Sequence, residues 1–136
     1  MSSKTAPHAN QSPIMVAIAD DHEMVRMSLR MYLQMYSDIE VVGEATSGAE
    51  ALVLCTELHP DVILMDYLMP GMDGVETASL LREQCPDVQV ILLTATVSTG
   101  LAPQAYDAGV ACLLKKDTSF ELHDAIQNVY EHGSCH

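Results

Sequence analysis

The sequence predicts an α/β fold in which one parallel sheet is covered by helices on both faces. Five short apolar runs, each long enough for a strand, alternate along the chain with five segments of helical pattern. The connections between them are short, and strands that alternate with helices in this way form parallel sheets through right-handed crossovers. With 136 residues, of which 49% are hydrophobic, the chain is long enough for one such domain with a substantial core.

The first and third predicted strands both end in acidic residues. Residues 14 to 19 are apolar and lead into Asp20 and Asp21, and residues 62 to 65 lead into Asp66, which Pro-Gly and Asp-Gly turn signals follow. A short apolar run bounded in this way fits a strand that is buried on both faces. These aspartates are therefore predicted to lie at the carboxyl ends of two strands, where open α/β sheets bind their ligands.

A local structural role is the main alternative for Asp66, because an aspartate before a loop often caps a helix. Asp73 fits that role better, since Asp73-x-x-Glu76 forms a capping-box pattern ahead of a helical segment. Asp66 is left without such a local role. We therefore interpret Asp66 as a functional residue.

The remaining segments alternate in the same way. Capping-box patterns precede two of the helices, at Ser47-x-x-Glu50 and at Thr118-x-x-Glu121, and Gly133 is typical of the end of the last helix. The other predicted helices cover residues 22–36, 51–58 and 74–83, with a short one near residue 103, and the other predicted strands cover residues 39–44, 88–93 and 110–114.

The first predicted helix carries two apolar stripes. Val25, Leu29 and Leu33 lie on its core face at helical spacing. Two interpretations stay open for the second stripe: burial under a neighbouring helix, or an adaptable surface for a partner, to which methionine is suited. This second stripe consists of Met24, Met27, Met31 and Met35.

The charge of the chain argues against one class of function. With a net charge of −13 and six lysine and arginine residues in total, the chain is not expected to grip DNA or RNA by itself, because phosphate neutralisation requires basic side chains. The apolar runs are too short for a membrane span, and residues 1–13 lack the apolar centre of a signal peptide. A soluble cytoplasmic protein without a membrane partner is predicted.

The four cysteines are predicted to be buried free thiols. No C-x-x-C pair is present, and three of the four fall inside predicted elements. That distribution is typical of a protein from a reducing compartment. The residues are Cys55, Cys85, Cys112 and Cys135.

Acidic, hydroxyl and basic side chains lie at the carboxyl ends of four of the predicted strands. In a parallel sheet, the carboxyl ends of all strands lie at one edge. Three carboxylates are hard oxygen ligands that suit Mg²⁺. With an ion to neutralise the acids, Asp66 can act as a nucleophile toward phosphorus and form an aspartyl phosphate, whose oxygens a lysine and a threonine hydroxyl would hold. The converging residues are Asp20, Asp21, Asp66, Thr94 and the pair Lys115 and Lys116.

These motifs resemble those of a known family. As a set they are similar to the receiver domains of two-component response regulators, and most similar to the branch that carries a C-terminal helix-turn-helix (the NarL, FixJ and LuxR type). The resemblance covers residues 14–132 and implies a flavodoxin-like (βα)₅ fold with the strand order 2-1-3-4-5. It is carried by ADDH at 19–22, VGEA at 42–45, LMD at 64–66, MPGMDG at 69–74, LTA at 93–95 and LKKD at 114–117.

The resemblance implies how the acidic residues act. Asp66 would receive a phosphoryl group from a sensor histidine kinase. Mg²⁺ would be held by Asp20, Asp21 and Asp66 together with the backbone carbonyl of Leu68.

The resemblance also implies that Thr94 and one lysine sense the phosphate. Lys116 fits the position of that lysine by its spacing from Thr94 (116 − 94 = 22) and by the following Asp117. Lys115 is the alternate. The alternation of side chains along a strand allows only one of the two to point into the site.

Two features depart from the family's pattern. Leu113 stands where the family usually has an aromatic residue in strand five, and Gly100 and Pro103 confine the fourth helix to a turn or two that begins near Pro103. The acids are complete, so phosphorylation is better supported than the usual switching mechanism. Phosphate is expected to bias a surface around helix four, strand five and helix five, or the methionine stripe, toward a partner or a homodimer.

The predicted organisation is a receiver domain at residues 14–132, with a flexible segment at 1–13 and the start of a linker or tail at 133–136. The family's DNA-binding domain is not in this chain, so DNA would be bound only through such a domain, and an excised and a stand-alone receiver both stay open. We do not expect an enzyme, because an aspartyl-phosphate phosphatase needs another acid where Leu68 stands. A receiver-like module that works without phosphate is the remaining alternative.

Overall fold

Strands and α-helices alternate through the part of the chain that the structure describes. The computed structural model describes residues 12–96 and 98–135, apart from the side chains of residues 118–120, so most of the segment predicted to be flexible lies outside it. The strands are β1 (Ile14–Ala19), β2 (Ile39–Ala45), β3 (Val62–Asp66), β4 (Gln89–Thr94) and β5 (Cys112–Lys115). The helices are α1 (Glu23–Leu33), α2 (Gly48–Leu58), α3 (Gly74–Gln84), α4 (Leu101–Asp107) and α5 (Leu122–His132), with a 3₁₀ helix at Lys116–Glu121.

The strands form one parallel sheet in the order β2-β1-β3-β4-β5. Successive side chains of β1 pack into two different cores. Val16 and Ile18 belong to the cluster that contains α1 and α5, whereas Ala17 and Ala19 belong to the cluster with α2, α3 and α4. This is the alternation of a strand buried on both faces. The predicted flavodoxin-like fold and strand order are therefore confirmed.

The pairing register brings the carboxyl ends of the strands to one edge of the sheet. Ala19 of β1 pairs with Met65, and Asp66 of β3 pairs with Leu93. On the other side of β4, Thr94 pairs with Lys115 of β5. Residues that are distant in sequence are therefore neighbours here.

The capping boxes predicted before α2 and α3 form to different extents. At α3, the Asp73 carboxylate accepts from the Glu76 N–H at 2.8 Å and the Glu76 carboxylate accepts from the Asp73 N–H at 3.1 Å, as predicted. At α2, Ser47 Oγ accepts from the Glu50 N–H at 3.1 Å. The Glu50 carboxylate, however, accepts from the N–H and hydroxyl of Thr46, each at 2.7 Å, so only half of the predicted box is present.

The predicted start of the last helix is wrong. Helix α5 begins at Leu122, with Glu121 as its N-cap and without a side-chain cap hydrogen bond. Because the 3₁₀ turns lead directly into the helix, preceding carbonyls can accept from its first N–H groups. The side chain of Thr118 lies outside the described residues. Gly133 ends α5 as predicted, in the left-handed conformation with φ 78°.

Helix α4 is as short as predicted, although it begins at Leu101 rather than near Pro103. Gly100, with φ 95°, precedes it. Proline is tolerated in the first turn because the N–H groups there have no acceptor within the helix. Helix α1 also departs from the prediction, since it ends at Leu33 and not at residue 36.

The prediction of four free thiols is wrong for two of them. Cys112 and Cys135 form a disulfide with a Cα–Cα distance of 5.4 Å. The turn at Gly133 brings Cys135 back against the core of α1 and α5, an approach that sequence spacing does not reveal. Cys55 and Cys85 are free and buried, as predicted. Burial, together with the nearby Cys85, raises the pKa of Cys55 to about 12, which makes it a structural thiol.

Three residues of the methionine stripe, which runs along α1 and past its end, are exposed. Met24, Met31 and Met35 are 68%, 60% and 76% exposed. Burial under a neighbouring helix, one of the two interpretations, is therefore wrong for these three residues, whereas Met27 is half-buried. Among the helices that the structure describes, none has the length and apolar character needed to cross a membrane.

Candidate functional site

Asp66 is a buried acid at the end of the fully buried strand β3, with 4% of the residue exposed. Sheet-like pairing continues one residue further, because the Tyr67 N–H donates to the Leu93 carbonyl at 2.8 Å. The chain then turns, and the Leu68 N–H approaches Asp66 Oδ1 at 3.4 Å. The carboxylate is thus fixed between a rigid strand and the main chain of the following loop.

Gly74, at the start of α3, lets this loop fold closely over the end of β3. A Cβ at Gly74 would lie 2.5 Å from Leu92 Cδ1 and 2.8 Å from the Asp66 carbonyl oxygen. The Gly74 N–H also donates to the Tyr67 carbonyl at 2.7 Å. A residue without a side chain is required here for the loop to approach the strand.

Lys116 is the lysine that contacts the buried acids. Its Nζ lies 3.2 Å from Asp66 Oδ2 and 3.3 Å from Asp20 Oδ2. Lys115, the last residue of β5, instead lies 3.9 Å from Asp117 Oδ2, and its side chain is half exposed. Lys115 ends β5 and Lys116 begins the 3₁₀ helix, so the two lysines have different surroundings.

Asp20 is held from several directions and is almost fully buried. Its N–H donates to the Ala45 carbonyl at 3.0 Å, which extends the pairing of β1 with β2. The Arg26 guanidinium donates to its backbone carbonyl at 2.7 Å. Arg26 is itself paired with Glu44, with Nε and Oε1 3.2 Å apart. The carboxylate is therefore presented to the site by a backbone that α1 and β2 both secure.

His22 bridges the two adjacent aspartates. Its Nδ1 lies 3.0 Å from Asp20 Oδ1 and 3.1 Å from Asp21 Oδ1. Its backbone N–H also donates to Asp20 Oδ1, at 2.9 Å. Sequence reasoning did not single out His22 or Arg26. The one available signal was that His22 follows the acidic pair directly, because nothing in the pattern shows where its ring points.

The pKa shifts of Asp66 and Lys116 reflect an excess of negative charge. Burial, and then the neighbouring Asp20 carboxylate, raises the pKa of Asp66 above its usual range, although the Lys116 ammonium opposes the shift. Burial also disfavours the charged form of Lys116, but the Asp66 and Asp20 carboxylates outweigh it and raise the pKa of Lys116. One ammonium thus faces more carboxylates than it can neutralise.

Thr94 is buried at the end of β4, where it was predicted to converge on the acids. Its hydroxyl donates to the Thr96 carbonyl at 2.7 Å. Among the described contacts, this bond joins Thr94 to its own loop and none joins it to Asp66. Leu113 lies in β5, at the position where the family usually has an aromatic residue. Its N–H donates to the hydroxyl of Tyr106 at 3.2 Å.

The donor set fits a divalent cation. Carboxylate oxygens of Asp20, Asp21 and Asp66 and a ring nitrogen of His22 all lie within 4.8 Å of one another. Hard oxygen donors of this number suit ions such as Mg²⁺. Leu68, whose backbone carbonyl was predicted to be a further ligand, lies in the loop after β3, and its N–H approaches Asp66 Oδ1 at 3.4 Å. We refer to Asp20, Asp21 and Asp66 below as the acidic site.

Comparison with protein families gives one match over most of the chain. Residues 16–127 match the sequence model of the family described as the response regulator receiver domain. Among sequence relatives, response regulator protein VraR of Staphylococcus saprophyticus is 42% identical over 123 residues, which are 90% of this chain and 59% of that protein. VraR of Staphylococcus aureus is 45% identical over 115 residues, which are 84% of this chain and 55% of that protein. The chain thus spans less than three fifths of the length of these relatives.

Solved structures show the same similarity. The signal receiver domain of the response regulator NarL from Mycobacterium tuberculosis superposes with a TM-score of 0.85 at 35% identity, covering 90% of this chain and 99% of that one. A two-component response regulator of the LuxR family from Aurantimonas sp. also gives a TM-score of 0.85, at 28% identity, covering 90% of this chain and 88% of that one.

Proposed function

This chain belongs to the response regulator receiver domain family, and on that premise we propose that it accepts a phosphoryl group on Asp66 from a sensor histidine kinase. One observation carries the proposal: Asp66 is a buried carboxylate at a strand end, with Lys116 Nζ 3.2 Å from its Oδ2. In the transfer, the N–P bond of the kinase phosphohistidine breaks and its electron pair stays on the imidazole. An O–P bond forms at Asp66.

We infer that the ion of this reaction is Mg²⁺, held by Asp20, Asp21 and Asp66 and by the Leu68 carbonyl. When bound, the ion would supply positive charge that offsets the acids and the incoming phosphoryl group. Lys116 would hold a phosphoryl oxygen, because its ammonium already lies between Asp66 and Asp20. Apart from this transfer to its own aspartate, we propose no enzymatic activity.

Thr94 is proposed to report the phosphate to the surface. Its hydroxyl now donates to the Thr96 carbonyl at 2.7 Å. A phosphoryl oxygen on Asp66 would compete for that hydroxyl, which would release the loop that leads into α4. The surface of α4, β5 and α5 would then favour a partner or a second copy of the chain. The exposed methionine stripe of α1 is the alternative surface.

The output is proposed to be control of transcription in the cytoplasm. The VraR relatives are longer than the matched region, and a solved relative from Staphylococcus aureus is described as a DNA-binding response regulator of the LuxR family. DNA would be contacted through a helix-turn-helix domain outside this chain, since the chain itself has a net charge of −13.

Intact-mass measurement after incubation with Mg²⁺ and acetyl phosphate tests the proposal. We expect one added phosphoryl group on the natural chain and on Asp87→Asn, an exposed control in the loop before β4. We expect none on Asp66→Asn or in the presence of a chelator. An adduct that persists in Asp66→Asn would show that a residue other than Asp66 accepts the phosphoryl group. If acetyl phosphate and other small phosphodonors all gave no adduct, a module that works without phosphate would be the better description.

A further inference from the structure

We propose that His22 Nδ1 is a ligand of the divalent ion in the acidic site, and that this nitrogen makes the site favour Mn²⁺ and Co²⁺ over Mg²⁺. The inference rests on the metal site of the proposed function. It goes further because the three aspartates and the Leu68 carbonyl supply only oxygen donors, to which His22 adds a nitrogen.

The spacing of the donor atoms supports this assignment. Nδ1 lies 3.0 Å from Asp20 Oδ1 and 3.1 Å from Asp21 Oδ1. Two adjacent ligands of an octahedral ion, each at a bond length of about 2.1 Å, are separated by about 3.0 Å. The ring nitrogen and the two carboxylate oxygens thus already have the separations of neighbouring ligands around one ion.

The ring is placed by its backbone. His22 lies between β1 and α1 in an extended conformation, with φ −99° and ψ 116°, and is the N-cap residue of α1. Its N–H donates to Asp20 Oδ1 at 2.9 Å, so the main chain is tied to the same carboxylate that the ring contacts. The side chain is 63% exposed. The ring therefore borders solvent, from which an ion and its waters can enter.

The chemistry of imidazole explains the expected selectivity. With its proton on Nε2, the ring presents a lone pair at Nδ1 and adds no positive charge to repel the ion. Nitrogen donors are favoured by transition metals, whereas Mg²⁺ prefers oxygen ligands and water. A nitrogen in place of a water should therefore strengthen the binding of Mn²⁺ and Co²⁺ much more than that of Mg²⁺.

A simpler role for His22 is to donate an Nδ1–H hydrogen bond that holds the two carboxylates in place. That role would support every cation to the same degree. The two roles are separated by His22→Asn, because asparagine keeps a good N-cap for α1 while it removes the imidazole nitrogen. His59→Asn is the matched control, since His59 is an exposed histidine at the end of α2.

Electron paramagnetic resonance of bound Mn²⁺ provides the test. In the natural chain and in His59→Asn, electron spin-echo envelope modulation should show a directly coordinated ¹⁴N, which changes to the ¹⁵N pattern in ¹⁵N-labelled protein. In His22→Asn the signal should disappear. We also expect the Kd for Mn²⁺ to rise by about tenfold, while the Kd for Mg²⁺, measured by competition, changes by less than about twofold. Circular dichroism checks that the variant is folded.

Three outcomes would overturn the proposal. If Mn²⁺ binds without nitrogen coupling, or if His22→Asn weakens Mn²⁺ and Mg²⁺ equally, His22 is not a ligand, although the metal site of the proposed function stands. If neither ion binds the natural chain, the metal site fails as well. The phosphorylation assay with Mg²⁺ then reports separately on the proposed function.

Discussion

Lys116 Nζ lies 3.2 Å from Asp66 Oδ2, and this contact joins the 3₁₀ helix after β5 to the end of β3 across the intervening strand β4. The same ammonium lies 3.3 Å from Oδ2 of Asp20, which directly follows β1. A single side chain thus connects the ends of three strands. Removal of either partner therefore changes both the charge of the site and the stability of the sheet edge.

Lys116→Ala should destabilise the protein more than Lys115→Ala. Loss of the Lys116 ammonium leaves Asp20 and Asp66 buried without a cation, and we expect the free energy of unfolding to fall by about 1–3 kcal/mol at pH 7. The exposed Lys115 should contribute less than about 0.5 kcal/mol. Urea denaturation with a chelator present measures both changes. Equal losses in the two variants would contradict the role of Lys116 as the main counter-charge.

Asp66→Asn should stabilise the metal-free protein at neutral pH. A carboxyl whose pKa is raised by folding contributes its stability below its unfolded pKa, and that contribution is lost as the pH rises through the folded pKa. At pH 7 the variant should therefore have a larger free energy of unfolding than the natural chain. The difference should shrink as the pH falls toward about 3.9, the ordinary value for aspartate.

Denaturation across this pH range, with a chelator present, provides the measurement. Asp87→Asn is again the control, because its exposed carboxyl should leave the stability almost unchanged at every pH. If the stability advantage of Asp66→Asn over the natural chain instead increased as the pH falls, the fold would stabilise the Asp66 carboxylate and not disfavour it.

Asp38 should show the opposite pH dependence. Burial acts to raise its pKa, but hydrogen bonds from Gln127 at 2.8 Å and His123 at 2.9 Å outweigh burial and lower it. A depressed pKa contributes stability above the unfolded value, which is lost as the pH falls through the folded value. Asp38→Asn should therefore cost about 1–2 kcal/mol at pH 7 and progressively less below about pH 4.

The comparison for Asp38 is Glu40→Gln, which changes an exposed acid two residues away on β2. Thermal or urea denaturation in a pH series would detect the effect. If the loss in Asp38→Asn were the same at pH 3 as at pH 7, the hydrogen bonds to His123 and Gln127 would not favour the ionised carboxylate.

The disulfide between Cys112 and Cys135 should stabilise the oxidised protein. The cysteines are 23 residues apart in sequence, and a cross-link that closes a loop of this size contributes about 3 kcal/mol in the chain-entropy description. Cys135→Ser should lose that amount without reductant. With reductant, the variant and the natural chain should have nearly the same free energy of unfolding.

Alkylation of the unfolded chain followed by intact-mass measurement checks the bond itself. Without reductant, two of the four cysteines should react, namely Cys55 and Cys85. With reductant, all four should react. Four alkylated cysteines in the non-reduced protein would contradict the disulfide.

The fold and the acidic edge follow from local patterns in the sequence. Apolar runs alternate with helical segments, and this alternation alone predicts a parallel sheet with its strand ends at one edge. The strand order itself came from the resemblance to a family. Asp66 could be singled out because its strand is apolar throughout and because Asp73 takes the capping role. Spacing also favoured Lys116 over Lys115, and Lys116 is the one that contacts the acids.

Other features depend on how distant parts of the chain meet. Whether the methionines of the stripe are covered depends on which helices pack beside them, and Met24, Met31 and Met35 are left exposed. The partner of Cys135 depends on the turn at Gly133, and the absence of a side-chain cap on α5 depends on the 3₁₀ turns before it. The ring of His22 contacts two carboxylates, and its position depends on the extended backbone of His22 between β1 and α1.

The sequence by itself determined which residues end the buried strands, because hydrophobic periodicity and turn signals are local properties. Only the tertiary structure decided which of those residues touch. Contacts such as Lys116 with Asp66, or Cys112 with Cys135, depend on register, side-chain direction and loop path. These result from packing of the whole chain, and no local stretch of sequence contains them.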